Sequence, residues 1–186
     1  MPQTHLQVKL VRWTENPDQL VAAAARLCYA AETDALLASE PADDARFIAR
    51  LRSLGHFSPF EHASFTFYAE GISRALTHQL VRHRLASYSQ RSQRYVAHNT
   101  FDYIVPPRLT GRSVTVDGQT VPADAYFRET MDLLAERYGH LQEALGGSSE
   151  SSNEDARYLL PNACETRIFI TMNAPELLHF FGERIC

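Results

Sequence analysis

Fourteen residues, Arg82 to Tyr95, hold four arginines, one histidine and three serines in a chain whose formal net charge is −4. The acid-free stretch is wider. Between Glu70 and Asp102, residues 71–101 carry Arg74, Arg82, Arg84, Arg91 and Arg94, three histidines and no carboxylate. Folding does not require this. Like charges so close repel, and an anionic partner or solvent relieves them. The planar fork of arginine meets phosphate or carboxylate through paired hydrogen bonds. The chemistry these residues suit is the binding of a phosphorylated ligand. Arg82, Arg84, Arg91 and Arg94 are the donors, Ser87, Ser89 and Ser92 add hydroxyls, and the loop adds backbone N–H groups. A solvated arginine-rich surface loop is the plainer alternative. The glycines form neither G-x-G-x-x-G nor a P-loop, so any nucleotide would be held by side chains and local backbone.

Other reactive residue types narrow the field. Cys28, Cys164 and Cys186 are widely spaced and odd in number, with neither a disulfide framework nor a zinc-type pair. None lies in a motif that activates a thiol, and a reducing, cytoplasmic setting follows. Ser92 has no adjacent base and reads as a ligand contact rather than a nucleophile. His56 and His62 flank a tight turn and His78 precedes His83. No H-x-x-x-H or H-E-x-x-H spacing occurs, so no metal site is expected. His179 sits among apolar neighbours and, read alone, is a packed, half-buried histidine. Glu61 fits a helix cap or an ion pair that orders arginines. Tyr88 and Tyr95 fit either stacking on a ring system or core packing.

The elements that must position these residues follow from pattern. At 186 residues and 45% hydrophobic content the chain suits one domain, residues 1–186, with a real core. No apolar run approaches the roughly 18 residues of a membrane span, and Met1 to His5 lacks the character of a signal peptide. The mildly acidic balance disfavours a general nucleic-acid binder. Alternation predicts a strand over 6–12. Asn16-Pro17 opens a helix to about Tyr29, and a second helix spans 43–54, stopping at Gly55. Ser58-Pro59-Phe60-Glu61 has capping-box form; one helical turn there gives way to a strand that Gly71 ends. A helix over 72–84, with Ile72, Ala75, Leu76, Gln79 and Leu80 along one side, delivers Arg82 and Arg84. Residues 85–95 read as a loop, 102–105 as a short strand, and 114–121 as a hairpin with an Asp-Gly turn. A long helix fills 123–145, a flexible loop 147–153, a short helix 154–160 and a strand 166–172. Asn173-Ala174-Pro175-Glu176 caps a last helix. The order lacks regular βα alternation, so the fold class is α+β: a mixed, largely antiparallel sheet flanked by helices.

Arg82-His83-Arg84, seven residues and then Ser92 resembles the signature of the flavin-dependent thymidylate synthases. Three more segments match in order. They are Gly55 to His62, Ala156 to Pro161, and Met172-Asn173-Ala174 with Leu177 to Phe181 and Arg184. The resemblance runs from about residue 20 to the last residue and thins through 105–150. It implies that Gln79, Leu80, Val81 and Arg82, with Gln90, Arg91, Ser92, Gln93 and Arg94, grip dUMP. Arg157 and Arg184 reach the nucleotide as well. It implies that FAD lies against Arg82, His83 and Arg84 and meets Ser58, Gln90, Asn173, Ala174, Pro175 and His179. Methylenetetrahydrofolate then supplies a methylene to C5 of dUMP, reduced FAD a hydride, and NADPH restores the flavin. Arg184 matches the arginine that stabilises charge on the pyrimidine. The resemblance further implies a cytoplasmic homotetramer acting on small molecules, with no nucleic-acid or membrane partner.

The resemblance also marks departures. Pro175 stands where many relatives carry a basic residue, and Glu183 adds a negative charge beside Arg184. The chain ends at Cys186, inside the last predicted helix, where relatives continue, so a shortened C-terminus is expected. Two rivals stand beside this reading. One is a truncated, catalytically weak relative that still binds flavin or nucleotide. The other is an RNA-binding module that uses the arginine loop with Tyr88 and Tyr95.

Overall fold

A computed structural model of the chain describes residues 4–31, 36, 40–96 and 100–185. Cys186, on which the expectation of a shortened end rests, lies outside the described residues, as do residues 1–3 of the N-terminal reading. Six helices and six strands are described: β1 (Gln7–Trp13), α1 (Pro17–Leu27), α2 (Pro41–Ser53), β2 (Ser64–Ser73), α3 (Arg74–Leu80), β3 (Ala86–Gln90), β4 (Ser113–Val116), β5 (Gln119–Pro122), α4 (Ala123–Ala144), α5 (Glu150–Ala156), β6 (Glu165–Asn173) and α6 (Ala174–Arg184). Four strands bond in the order β1-β2-β6-β3, and β4 pairs with β5 as an antiparallel hairpin. This is an α+β fold.

The chain divides into two compact units. One comprises Met1–Val8, Ala69–Arg82 and Ser89–Ile168; the other comprises Lys9–Tyr68, His83–Tyr88 and Phe169–Cys186. In the first unit, α4 buries Met131, Ala135, Tyr138 and Gln142. That spacing of four, three and four residues makes one helical stripe. Met131 and Ala135 meet Phe101, Tyr103, Val105 and Cys164 in a shared core. Asp117 and Gly118 both hold positive φ at the tip of the β4–β5 hairpin, the conformation that an Asp-Gly two-residue turn favours. In the second unit, Val21 of α1 packs with Phe60 and Ala63, flanked by Ile48, Leu51, Phe65 and Ala174. Arg26 of α1 is paired at 2.5 Å with the buried Asp44 of α2.

The structure corrects five local expectations. Residues 86–90 form strand β3, not loop: Ala86, Tyr88 and Gln90 are half-buried while Ser87 and Ser89 are exposed. The two-residue period was hidden because both faces carry polar residues. Strand β2 runs on past Gly71 to Ser73. Gly71 adopts φ 68°, and a Cβ there would lie 2.0 Å from the carbonyl oxygen of His5, so the glycine admits close backbone approach. Helix α3 is only Arg74–Leu80 and buries Thr77 and Leu80, leaving Ala75, Leu76 and Gln79 exposed; Arg82 and Arg84 lie in the turn beyond it. Residues 147–153 hold a capping box, with Ser149 and Ser152 bonding reciprocally at the start of α5, and Ser152 and Asn153 are buried. Asn16 and Ser58 make no side-chain caps: Asn16 is left-handed at φ 44°, and Phe57 occupies the cap position of the 3-10 turn Ser58–His62.

Candidate functional site

In the unit that contains α6, the chemistry gathers on His83. Asn173 caps α6 by accepting the Glu176 N–H at 3.0 Å. That cap fixes the first turn, where Glu176 is 5% exposed. Glu176 Oε1 lies 3.5 Å from Nδ1 of the buried His83. His83 Nε2 lies 3.4 Å from the Arg184 guanidinium at the far end of α6. The imidazole is also edge-on to Phe180 at 5.2 Å and to His179 at 6.0 Å. Tyr88 of β3 donates its hydroxyl to the His83 carbonyl at 3.0 Å. Burial and, secondarily, the Glu176 charge raise the Tyr88 pKa above its usual 10.0, so that hydroxyl keeps its proton. Arg52, Phe57, Leu85, Pro175, Glu176, Leu178 and His179 line a cleft of about 690 Å³ in this unit. Its walls are largely apolar, with one guanidinium, one imidazole and the Glu176 carboxylate.

In the other unit, arginines are gripped by carboxylates. Arg94 pairs with Glu150 and lies 3.5 Å from Glu154; Glu154 also holds Arg157 at 3.5 Å. Its hydrogen bond to Glu150, then the Glu154 charge, raise the Arg94 pKa further above its usual value. The Arg94 atom that faces Glu154 is Nε, which is buried and makes no hydrogen bond. Arg91 faces the buried Glu165 at 3.8 Å. Gln90 donates to Thr77 at 2.8 Å and to Thr166 at 3.2 Å, which commits its amide hydrogens and leaves its carbonyl. Ser92 accepts the Arg94 N–H at 3.1 Å, as a loop-shaping serine does. Asn153 ties the Arg94 carbonyl to α5 at 2.8 Å. Cys164 is fully buried, and burial pushes its thiol up to about 11, against opposing effects of Gln93, Arg74 and Arg91. Such a thiol is inert at neutral pH. Arg74, conversely, is lowered by desolvation, with Cys164 opposing and Arg157 adding.

The remaining expected residues divide between surface and interior. Gln79, Val81, Arg82 and Arg84 are exposed, and Leu80 is buried. Among the described residues neither Arg82 nor Arg84 has a carboxylate partner. Ser58 and His179 are exposed; Asn173, Ala174 and Pro175 open α6, with the Asn173 carboxamide oxygen spent on the cap. Glu61 neither caps nor pairs among the described residues. Glu183 is exposed and makes no ion pair among them. Tyr95 is 70% exposed under the Arg94 guanidinium.

Glu176, Arg52, Glu150, Glu154 and Asn153 escaped the sequence reading. Glu176 was visible as the third residue after Asn173, but a capping glutamate explained it away. The acids at 150 and 154 were hidden because they face Arg94 from a segment more than fifty residues on.

The model of the family described as thymidylate synthase complementing protein matches residues 9–186. A Clostridium tetani protein named flavin-dependent thymidylate synthase is 44% identical over 97% of this chain and 75% of its own length. A Geobacter sulfurreducens protein of the same name is 48% identical over 97% and 74%, and one from Pyrococcus furiosus is 37% identical over 97% and 71%.

Proposed function

Because this chain belongs to the thymidylate synthase complementing proteins, the flavin-dependent thymidylate synthases, we propose that it converts dUMP to dTMP with methylenetetrahydrofolate as carbon donor, FAD as the flavin and NADPH as reductant. The whole chain, residues 1–186, acts as one functional domain in this reading. The observation that carries it is the Arg184 guanidinium held against the His83 imidazole at 3.4 Å, inside the motifs that carry the resemblance.

C5 of dUMP must become electron-rich before it attacks an electrophilic carbon. Cys164 is a poor nucleophile, its thiol raised to about 11. Stabilising negative charge on the pyrimidine carbonyls is the other route, and a permanently charged guanidinium serves it. Arg184 takes that role. Gln79, Leu80, Val81, Arg82, Gln90, Arg91, Ser92, Gln93, Arg94 and Arg157 bind dUMP. The cleft beside α6 fits a flavin in kind and size, since small-molecule clefts of about 300–1,000 Å³ are typically apolar with a few polar groups. Arg82, His83, Arg84, Ser58, Gln90, Asn173, Ala174, Pro175 and His179 hold it, and Arg52 offers a cation where Pro175 does not. Reduced FAD, when bound, supplies the hydride that completes the methyl group.

No described helix is long and apolar enough to cross a membrane. We place the enzyme in the cytoplasm as a homotetramer; Leu6, Val8, Leu10 and Trp13, 46–65% exposed on and beside β1, support burial against another copy. The absorbance spectrum with FAD, titrated with dUMP and followed by a dTMP assay, tests the reading. Flavin bands perturbed by dUMP, with dTMP formed, support it. A protein that binds flavin but forms no dTMP favours the catalytically weak relative, and indifference to both ligands overturns the site assignment.

A further inference from the structure

Glu176 is a carboxylate 5% exposed, in the first turn of a helix, with a histidine ring 3.5 Å away. The partner ring is held on both edges: Nδ1 toward Glu176 and Nε2 toward Arg184 at 3.4 Å. Arginine has donors and no acceptor. Nε2 can therefore engage Arg184 only through its lone pair, which puts the ring proton on Nδ1, the edge that faces the Glu176 carboxylate at 3.5 Å. The three groups form a directional chain from carboxylate to imidazole to guanidinium.

We propose that Glu176 is a positioning residue that acts through His83: it fixes the ring with its proton on Nδ1, so that Nε2 orients the guanidinium of Arg184 toward the pyrimidine. A carboxylate behind an imidazole sets its tautomer in the same way at metal centres. Phe180, edge-on to the ring at 5.2 Å, closes one side and limits its rotation. Asn173, by capping α6, sets the register of both Glu176 and Arg184. The assignment deepens the reading of Arg184 given above and rests on it.

The first test needs no cofactor. Nitrogen-15 NMR of histidine-labelled protein reads the His83 tautomer directly, with His83→Gln identifying the signals. A proton on Nδ1 and a bare Nε2 is the expected result; a proton on Nε2 in the wild-type protein overturns the proposal. The second compares Glu176→Ala with Glu176→Gln in the FAD-loaded protein. Gln keeps an acceptor for the Nδ1 proton, so the tautomer persists and dUMP affinity stays near wild type. Ala loses the tautomer, and dUMP affinity and turnover fall about 10- to 100-fold. Unchanged dUMP affinity and turnover in a folded Glu176→Ala overturns the proposal. If that variant does not fold, the wild-type tautomer decides. Arg184→Ala separates the two assignments: normal turnover there defeats the role of Arg184, whereas the tautomer reports on Glu176 and His83 alone.

Discussion

Two regions handle their arginines in opposite ways. Around α6, a buried carboxylate reaches Arg184 through an intervening histidine. Around α5, carboxylates sit directly on Arg94 and Arg157, with Glu154 touching both. The first arrangement orients a cation through an imidazole. The second neutralises cations until an anion replaces the carboxylates. Orientation matters where charge must meet a developing charge in a transition state. Exchangeable pairing suffices where a phosphate only has to be held. On the proposed reading, that difference suits one arginine that stabilises developing charge and others that hold a phosphate.

The largest expected effect tests the catalytic side. Arg184→Ala lowers kcat on the order of 10²–10³-fold, the loss typical of one charge-stabilising donor, and FAD remains bound. Normal turnover in this variant removes the distinction. On the binding side, Arg94→Ala raises KM for dUMP about 10- to 150-fold with kcat little changed, since one charge-assisted hydrogen bond contributes about 1.5–3 kcal/mol. A fall in kcat with KM intact would place Arg94 with Arg184.

Much of this contrast was legible in the sequence, but unevenly. The Asn173 cap, the hairpin at Asp117-Gly118 and the long helix α4 all followed from local pattern, because caps, turn residues and helical stripes act over a few positions. Strand β3 did not: Ser87, Ser89 and Gln90 lack strand character, and their pairing with the sheet comes from residues far along the chain. The same limit applied to the site. The arginines announced themselves as a run, whereas their acidic partners Glu150, Glu154 and Glu176 lie on α5 and α6, where only folding brings them to face Arg94 and His83.

Removing an acid should act in opposite directions in the two regions. Glu154→Gln releases Arg94 and Arg157, and dUMP affinity rises a few-fold, in line with about 0.2–1 kcal/mol for a partly exposed pair. Glu176→Ala weakens dUMP binding instead. Binding of dUMP measured through the flavin absorbance gives both signs under one set of conditions. A weaker complex in Glu154→Gln would mean that Glu154 orders its arginines rather than competing for them.

The smallest expected effect separates what holds the His83 backbone from what holds its ring. Tyr88 donates its hydroxyl to the His83 carbonyl at 3.0 Å, so Tyr88→Phe should cost about 1 kcal/mol. For a chain of this length that lowers Tm by about 2–4 °C, with KM for dUMP unchanged. The pH dependence has a definite sign. The folded pKa of Tyr88 lies above its usual 10.0, so the contribution is fully present below that value. It is lost only as pH rises through the raised folded value. The Tm difference between wild type and Tyr88→Phe should therefore be constant from neutral pH to about 10 and shrink beyond it. If Tyr88→Phe instead raised KM for dUMP as Glu176→Ala does, the ring would take its orientation from the turn, and the carboxylate would be one support among others.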